Sequence, residues 1–239
     1  MRIAGSTRPG DPSAMLDLAG HAPIDKQTLV GGCIRLPLRI DPAPLQAELA
    51  ALPAELWGRR DGRVGVHEVA DAIFLRGHAP AQGELPIDDR PALSLLPSVR
   101  TLVFDRVPAE PMRCLIARLP PGAVVKPHID RAPYFAKTLR VHVPLQTHDQ
   151  AYMLCNGRSY RMAEGEFWLL NNSTTHAVWN AHPSASRTHL ICDFLPSDAL
   201  MQLIRAGERD LGVSRPDVDA HVATVQATTA RPARRVTGA

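Results

Sequence analysis

The stretch AYMLCNGRSYRM, residues 151–162, decides the fold class of this chain. It contains two short β-like runs that are separated only by Asn156 and Gly157. An Asn-Gly pair tolerates the positive φ angles of a two-residue hairpin turn, and between two such runs it is a strong hairpin signal. The stretch therefore predicts two adjacent antiparallel strands.

Similar short runs lie on both sides of this hairpin, with turn signals such as Pro120–Gly122 and Glu164–Gly165 between them. Together with the hairpin, eight runs follow one another: MRCLIARL, AVVKPHI, KTLRVHVPL, AYMLC, RSYRM, EFWLL, THAVW and RTHLICDF. About eight short strands with tight turns are typical of a closed or double-sheet antiparallel barrel of the jelly-roll type. We therefore expect a mostly β (α+β) fold with a jelly-roll core.

Helical segments flank this predicted core. Residues 42–52 carry apolar side chains at helical spacing, residues 92–107 indicate one or two short helices broken by Pro97, and residues 197–206 indicate a closing helix capped by Ser197. Two further β-like segments precede the eight runs, at residues 31–38 and 64–75.

The two ends of the chain lack a sustained apolar period. Residues 1–27 are rich in Gly, Pro, Asp and Ala, and residues 206–239 are rich in Ala, Thr, Arg and Pro. Such composition is typical of weakly ordered termini. We therefore predict a flexible leader over 1–27, one domain over 28–205 and a weakly ordered tail over 206–239.

Composition narrows the class of protein. With 45% hydrophobic and 21% charged residues, the 239-residue chain is expected to be globular. The sequence contains no uncharged apolar run of about 18 residues and no apolar core of the signal-peptide type, so a cytoplasmic protein without membrane contact is the default expectation. The net charge of +3 is small and carries no accompanying aromatic pattern, which argues against a nucleic-acid partner.

Three residues suggest a metal site. His128 and Asp130 are two positions apart in a predicted strand, so their side chains share one face. His176 lies in a later run, THAVWN. An HxD pair followed by a distant histidine is the sequence form of the two-histidine, one-carboxylate triad, which suits Fe(II) and leaves positions open on the ion. We therefore predict that His128, Asp130 and His176 are the metal ligands and the catalytic centre.

Two predicted strands carry alternating cationic and polar side chains. Arg140 alternates with His142, and Arg187 alternates with His189. Burying an arginine is costly unless an anion pairs with it, and a dicarboxylate cosubstrate would supply one that matches the guanidinium fork. The alternative is that protein carboxylates, Asp193 or Asp130, are the partners and that the polar face is solvated. This alternative carries more weight for Arg140 than for Arg187.

The order of motifs resembles a known family. HxD, RxHxPL, GExWxLNN, HxVxN and RxHLxxDF occur in the same order in the aspartyl/asparaginyl β-hydroxylase family, which also includes bacterial enzymes that hydroxylate free amino acids such as proline. The resemblance covers roughly residues 30–200 and is most specific over residues 112–194. It implies a double-stranded β-helix (jelly-roll, cupin-like) fold, Fe(II), 2-oxoglutarate as cosubstrate and O2.

The resemblance also assigns roles by position. His128 and His176 match the family's metal histidines, and Asp130 stands where many bacterial relatives have the carboxylate ligand. In the same way Arg187 matches the arginine that binds the distal carboxylate of 2-oxoglutarate. Arg140 and His142 match the pair of residues near the other carboxylate of 2-oxoglutarate. Ala117 is a departure, because animal members have a cosubstrate-binding serine there.

The function implied is hydroxylation of an aliphatic C–H bond of an amino acid or of an aminoacyl or peptidyl residue, with release of succinate and CO2. The partner expected is a small-molecule substrate, and a homodimer is left open. Two alternatives remain: a cupin-like metal enzyme that does not use 2-oxoglutarate, and a non-catalytic jelly-roll sensor of metal or ligand. Four residues are expected to line part of the substrate pocket: Trp57, Arg76, His78 and Arg113.

Overall fold

A computed structural model describes residues 18–59, 65–78 and 87–230 of the chain. Within these residues eleven strands form two sheets. The strands are β1 (Cys33–Arg39), β2 (Gly58–Arg59), β3 (Asp71–Arg76), β4 (Pro111–Leu119), β5 (Val124–His128), β6 (Leu139–Gln146), β7 (Ala151–Cys155), β8 (Arg158–Tyr160), β9 (Glu166–Leu170), β10 (His176–Asn180) and β11 (Arg187–Phe194).

Both sheets are antiparallel, and the strands from the second half of the chain are divided between them. The larger sheet has the order β1-β9-β6-β11-β4-β3-β2, and the smaller one has the order β5-β10-β7-β8. From β4 onward the chain passes back and forth between the sheets, returning to the larger one at β6, β9 and β11. This alternation is the double-stranded β-helix arrangement of a jelly roll, so the predicted fold class is confirmed, in its double-sheet form rather than as one closed barrel.

The eight predicted runs correspond to β4 through β11 in order. The hairpin between β7 and β8 is formed by Asn156 and Gly157, whose φ angles of 50° and 71° are those of a turn with two left-handed residues. Of the earlier β-like segments, residues 31–38 contain most of β1. In the described part of the segment 64–75, residues 65–75, the strand begins at Asp71.

Six helices surround the sheets in the described residues: α1 (Lys26–Leu29), α2 (Ala43–Ala50), α3 (Pro97–Val99), α4 (Pro133–Lys137), α5 (Asp198–Ala206) and α6 (Pro216–Ala230). Short 3-10 turns lie at Leu18–Gly20, Ala54–Leu56 and Pro91–Leu95, and a π-helical turn at Arg100–Phe104. The predicted closing helix is α5, and its first turn is capped as expected, because the Leu200 backbone N–H donates to Ser197 Oγ at 3.1 Å. None of these helices is long and apolar enough to cross a bilayer.

Part of the predicted leader is folded onto the domain. The Lys26 side chain in α1 is 2% exposed, and its Nζ donates to Phe135 O and to Asn172 Oδ1, both at 2.6 Å. A lysine is read as a surface residue in a sequence, yet these two acceptors compensate its burial. The remaining part of the leader prediction, residues 1–17, lies outside the described residues.

The predicted tail contains a helix that packs on the smaller sheet. Val218 and Val222, one helical turn apart in α6, are buried against Val124, Leu154 and Ala177. The weakly ordered tail was therefore the wrong expectation for Pro216–Ala230. That expectation followed the composition of the segment and passed over the helical spacing of its three valines, Val218, Val222 and Val225. Residues 231–239 of that prediction lie outside the described residues.

The larger sheet separates an apolar core from a polar interior. Along β11 the side chains of Leu190, Cys192 and Phe194 join the main hydrophobic core with α5. The alternating positions, which include His189 and Asp193, belong to the opposite face of the sheet. This alternation places the polar residues of β6 and β11 together on one face of the larger sheet.

Candidate metal centre

The three predicted ligands lie together at one end of the smaller sheet. β5 and β10 are neighbouring antiparallel strands in which His128 and His176 are direct register partners, with ring centroids 4.1 Å apart. Asp130 follows two residues after His128. Each of the three residues offers one ligand atom, and these atoms all lie within 4.8 Å of one another.

Backbone carbonyls orient both imidazoles. His128 Nδ1 lies 2.7 Å from Lys126 O, and His176 Nδ1 lies 3.0 Å from Thr174 O. Because a carbonyl oxygen can only accept, each Nδ1 carries the proton and each Nε2 presents a lone pair. Two imidazole nitrogens and one carboxylate form the donor set of the non-haem Fe(II) triad, so the residues present fit such an ion.

Asp130 is held so that one of its oxygens is available. Its Oδ2 accepts from Arg140 Nη1 at 2.6 Å and from Asn172 Nδ2 at 3.1 Å, while Oδ1 lies 3.9 Å from His128 Nε2. Burial disfavours the charged carboxylate, but Arg140 and the two histidines outweigh it and hold the pKa of Asp130 far below its usual range. The ligand is therefore ionised at neutral pH.

Arg140 is shared between two carboxylates. Besides Asp130, its guanidinium donates to both oxygens of Asp193, from Nε at 2.8 Å and from Nη2 at 3.0 Å. The residue-based alternative, an arginine compensated by Asp193 and Asp130, thus describes Arg140 in this structure. Its assignment to 2-oxoglutarate stays a prediction.

A second buried cationic group lies at the other end of β11. Arg187 is 5% exposed and His189 is 1% exposed, and the guanidinium donates from Nη2 to His189 Nδ1 at 2.9 Å. Burial, together with Arg187 and His142, holds the pKa of His189 well below its usual value, so the ring is neutral. Its Nε2 is buried and has no hydrogen-bond partner in the described part of the chain. His142 is buried on the neighbouring strand, with its ring centroid 5.8 Å from that of His189.

Of the four residues expected in the substrate pocket, Arg113 is the one placed beside this polar network. It is 8% exposed, its Nε lies 3.9 Å from Asp193, and its guanidinium lies over the Phe135 ring at 5.2 Å. The side chains of the other three pair elsewhere: Arg76 with Asp89, His78 with Arg90, and Trp57 with Arg118. The His78 carbonyl also accepts from Arg113 Nη1 at 3.5 Å. Ala117, the departure from the family pattern, is buried on β4 directly opposite His189.

One histidine at the centre was not predicted. His67, in the turn that precedes β3, is 8% exposed, and its Nε2 lies 3.1 Å from His128 Nε2. The two rings are perpendicular, with centroids 4.7 Å apart. The sequence around it, VGVHEV, has no partner at metal-ligand spacing, so nothing in the pattern distinguishes it from an ordinary loop histidine.

The fold and the centre together define a class, the jelly-roll proteins with a His-Asp-His facial triad. Residues 88–196, just under half of the chain, match the family described as Aspartyl/Asparaginyl beta-hydroxylase. The predicted resemblance is confirmed. The expected enzyme class, a 2-oxoglutarate-dependent non-haem iron dioxygenase with Fe(II), 2-oxoglutarate and O2, agrees with the family and with the donor set.

Several solved structures are similar to the chain. An oxidoreductase of the 2OG-Fe(II) oxygenase family from Burkholderia pseudomallei is 17% identical, with 72% of this chain and 88% of that chain covered and a TM-score of 0.48. A prolyl-4-hydroxylase from Pseudomonas putida is 17% identical, with 76% and 96% covered and a TM-score of 0.44. HygX from Streptomyces hygroscopicus, with nickel and 2-oxoglutarate bound, is 12% identical, with 70% and 84% covered and a TM-score of 0.43. Because all three TM-scores are below 0.5, these structural similarities carry no weight in assigning the family or the function.

Proposed function

We propose that this chain hydroxylates an aliphatic C–H bond of an amino acid or of an aminoacyl or peptidyl residue (Asp-, Asn- or Pro-like), with 2-oxoglutarate converted to succinate and CO2. The observation that carries the proposal is the buried group of His128, Asp130 and His176. When bound, Fe(II) and 2-oxoglutarate supply the oxidising chemistry, and the protein supplies orientation and a water-poor site.

On the metal side, the chain's own contacts prepare the three ligands. The carbonyls of Lys126 and Thr174 keep the protons of the imidazoles on Nδ1, so both Nε2 atoms are ready to bind. Arg140 neutralises Asp130 from the side that does not face the histidines. Asp130 is already ionised at neutral pH, so this ligand has no proton to lose when the ion binds.

On the cosubstrate side, we assign the distal carboxylate of 2-oxoglutarate to Arg187. A guanidinium binds a carboxylate through two parallel hydrogen bonds, and burial strengthens this preference. Because His189 is neutral, Arg187 carries the positive charge of the Arg187–His189 pair. The proton on His189 Nε2, which has no hydrogen-bond partner among the described residues, is a second donor. His142 and Arg140 are assigned to the other carboxylate, as the family resemblance implies.

For the substrate, we propose a molecule that carries a carboxylate. Arg113 is nine-tenths buried, yet its Nε makes no hydrogen bond within the described residues, and its nearest carboxylate, Asp193, is already held by Arg140. A buried guanidinium with spare donors favours an anionic group. Beside it, Leu115 and Ile191 form part of a small apolar cluster that can contact an aliphatic chain.

The test is turnover of the anaerobically purified chain with Fe(II), 2-oxoglutarate and a panel of amino acids and short peptides, read as succinate formation, oxygen uptake and a mass increase of the substrate. Carboxylate-bearing members are expected to react and their amides to lose at least tenfold in kcat/KM. Arg187→Met is expected to raise the KM for 2-oxoglutarate at least tenfold while Fe(II) still binds. A wild type that binds metal but neither binds nor converts 2-oxoglutarate would instead be a cupin-like enzyme or a sensor.

A further inference from the structure

The ammonium of Lys26 is a buried charge that the proposed function does not use. It belongs to α1, a single helical turn in the first part of the described chain, and the residue is 2% exposed. Burial lowers the pKa of Lys26 to about 8, so the group is protonated at pH 7. Since a buried ammonium is stable only with acceptors around it, the acceptors that Lys26 takes indicate its role.

Asn172 lies between Lys26 and the candidate metal ligand Asp130. Lys26 Nζ donates to Asn172 Oδ1 at 2.6 Å, and Asn172 Nδ2 donates to Asp130 Oδ2 at 3.1 Å. An ammonium can only donate and an ionised carboxylate can only accept, so a single orientation of the Asn172 amide satisfies both neighbours. With its oxygen and nitrogen exchanged, the amide would turn donors toward the ammonium and an acceptor toward the carboxylate. Lys26 therefore determines which end of the amide reaches Asp130.

Asp130 depends on Asn172 for its orientation. β5 ends at His128, and the backbone N–H of Asp130, beyond the strand, donates to Asn172 O at 3.0 Å. The side chain is held at Oδ2 by Asn172 together with Arg140, and Oδ1 is the oxygen on the His128 side. This arrangement leaves Oδ1 as the oxygen for a metal ion.

Solvent cannot take the place of Lys26. Asn172 is 0% exposed, so without the ammonium its buried Oδ1 would lose its partner and the amide could rotate away from Asp130. The second acceptor of Lys26, Phe135 O in α4 at 2.6 Å, offers the alternative that the lysine only fastens α1 to α4. The two roles differ in their effect on a bound metal ion.

We propose that Lys26 is a positioning residue of the metal centre, which acts through Asn172 to keep Asp130 Oδ1 turned toward His128. In this role Lys26 does not bind the ion itself. The role rests on the metal site of the proposed function, and it gives α1, which lies outside the matched segment of residues 88–196, a part in metal binding.

The test is a Co(II) titration of the full-length chain at pH 7 without oxygen, in which visible absorption gives both the dissociation constant and the band positions of the bound ion. We expect Lys26→Met and Asn172→Ala each to weaken Co(II) binding about tenfold and to shift the bands in the same direction. Because both changes release the same contact to Asp130, the double variant should bind Co(II) within about twofold of Asn172→Ala. A lysine that only fastens α1 to α4 would leave the Co(II) bands unchanged.

Lys137→Met is the matched control, because that lysine donates to Leu18 O rather than to Asn172, and the variant should keep the wild-type affinity. Circular dichroism establishes that each variant is folded. Wild-type affinity or bands in folded Lys26→Met, or losses that add in the double variant, overturn the inference. If Lys26→Met does not fold, Asn172→Ala, which retains Lys26 and its bond to Phe135 O, is the deciding variant, and wild-type affinity in it overturns the inference.

His176→Ala separates this inference from the proposed function. If His176→Ala binds Co(II) like the wild type, the metal site of the proposed function fails. If His176→Ala binds Co(II) weakly while Lys26→Met binds it like the wild type, the metal site stands and only the positioning role of Lys26 is overturned.

Discussion

Arg140 donates to Asp130 and to Asp193, and the exposed fractions of the three side chains are 5%, 9% and 1%. Two buried negative charges thus share the guanidinium of Arg140, and Arg113, 3.9 Å from Asp193, is a more distant second cation. Removing one partner of such a group costs more stability than replacing the whole group with apolar residues. The reason is that the remaining charges are desolvated and uncompensated. The arginine therefore stabilises the fold and keeps Asp130, the candidate metal ligand, ionised.

We expect Arg140→Ala to lower the free energy of unfolding of the metal-free chain by about 3–5 kcal/mol, measured by urea denaturation. Arg118→Ala is the matched control, because Arg118 pairs with Asp71 at a half-exposed position and the pair should contribute less than about 1 kcal/mol. Equal effects of the two substitutions would contradict the role given to Arg140.

The same group predicts a pH dependence. Burial disfavours ionisation of Asp130 and Asp193, but Arg140 outweighs it and lowers the pKa of both below the unfolded value of about 3.9. Their contribution to stability is then complete above that value and is lost as the pH falls through the lowered folded pKa. In Arg140→Ala burial prevails and raises both pKa values. The stability difference between wild type and variant should therefore shrink between pH 7 and pH 4, and a constant difference in urea titrations would count against this account.

Among the elements, those with local signals were predictable. Alternating side chains and Asn156–Gly157 determine β7, β8 and their hairpin without help from distant residues. The HxD spacing also predicted that His128 and Asp130 lie side by side, although β5 ends at His128 and Asp130 follows the strand. α6 was missed because its composition indicated a weakly ordered tail, although Val218, Val222 and Val225 lie at helical spacing. α1 was missed because Lys26 finds its acceptors more than 100 residues away. A local pattern cannot report contacts of this kind.

The position of α1 can be tested through Lys26. Burial lowers the pKa of Lys26 to about 8, whereas an unfolded lysine keeps its proton to about 10.4. Between these values the unfolded chain binds more protons, so the stability of the wild type rises with pH. Relative to Lys26→Met, it should gain about 2 kcal/mol between pH 8 and 10 in urea titrations. Lys137→Met is the control, because it removes a half-buried ammonium that donates to Leu18 O. If the wild type gains as much stability relative to Lys137→Met as relative to Lys26→Met, the burial of Lys26 in α1 is refuted.

The packing of α6 can be tested at Val222, which is 2% exposed. Val222→Asp places an unpaired carboxylate against the smaller sheet and should lower the free energy of unfolding by about 2–4 kcal/mol. Ala223→Asp, on the exposed side of the same helix, should change it by less than about 1 kcal/mol. If thermal unfolding shows no difference between the two variants, α6 is not docked on the sheet.

At the scale of the whole molecule, the centre combines residues from different parts of the fold. The smaller sheet contributes His128 and His176, and the larger sheet contributes Arg140, while Arg187 lies at the other end of β11 from Asp193. Strand alternation and the family resemblance together predicted these residues. His67 could not be found in this way, since only the folding of the segment before β3 brings it to His128.

Anaerobic equilibrium dialysis of Fe(II) against the wild type and His176→Ala tests the central claim most directly. The register of β5 and β10 places His176 opposite His128, so its removal leaves a donor set of one imidazole and one carboxylate from the triad. We predict one Fe(II) per wild-type chain and at least tenfold weaker binding by the folded variant. Binding of Fe(II) by His176→Ala with wild-type stoichiometry and affinity would contradict the assignment of the metal centre.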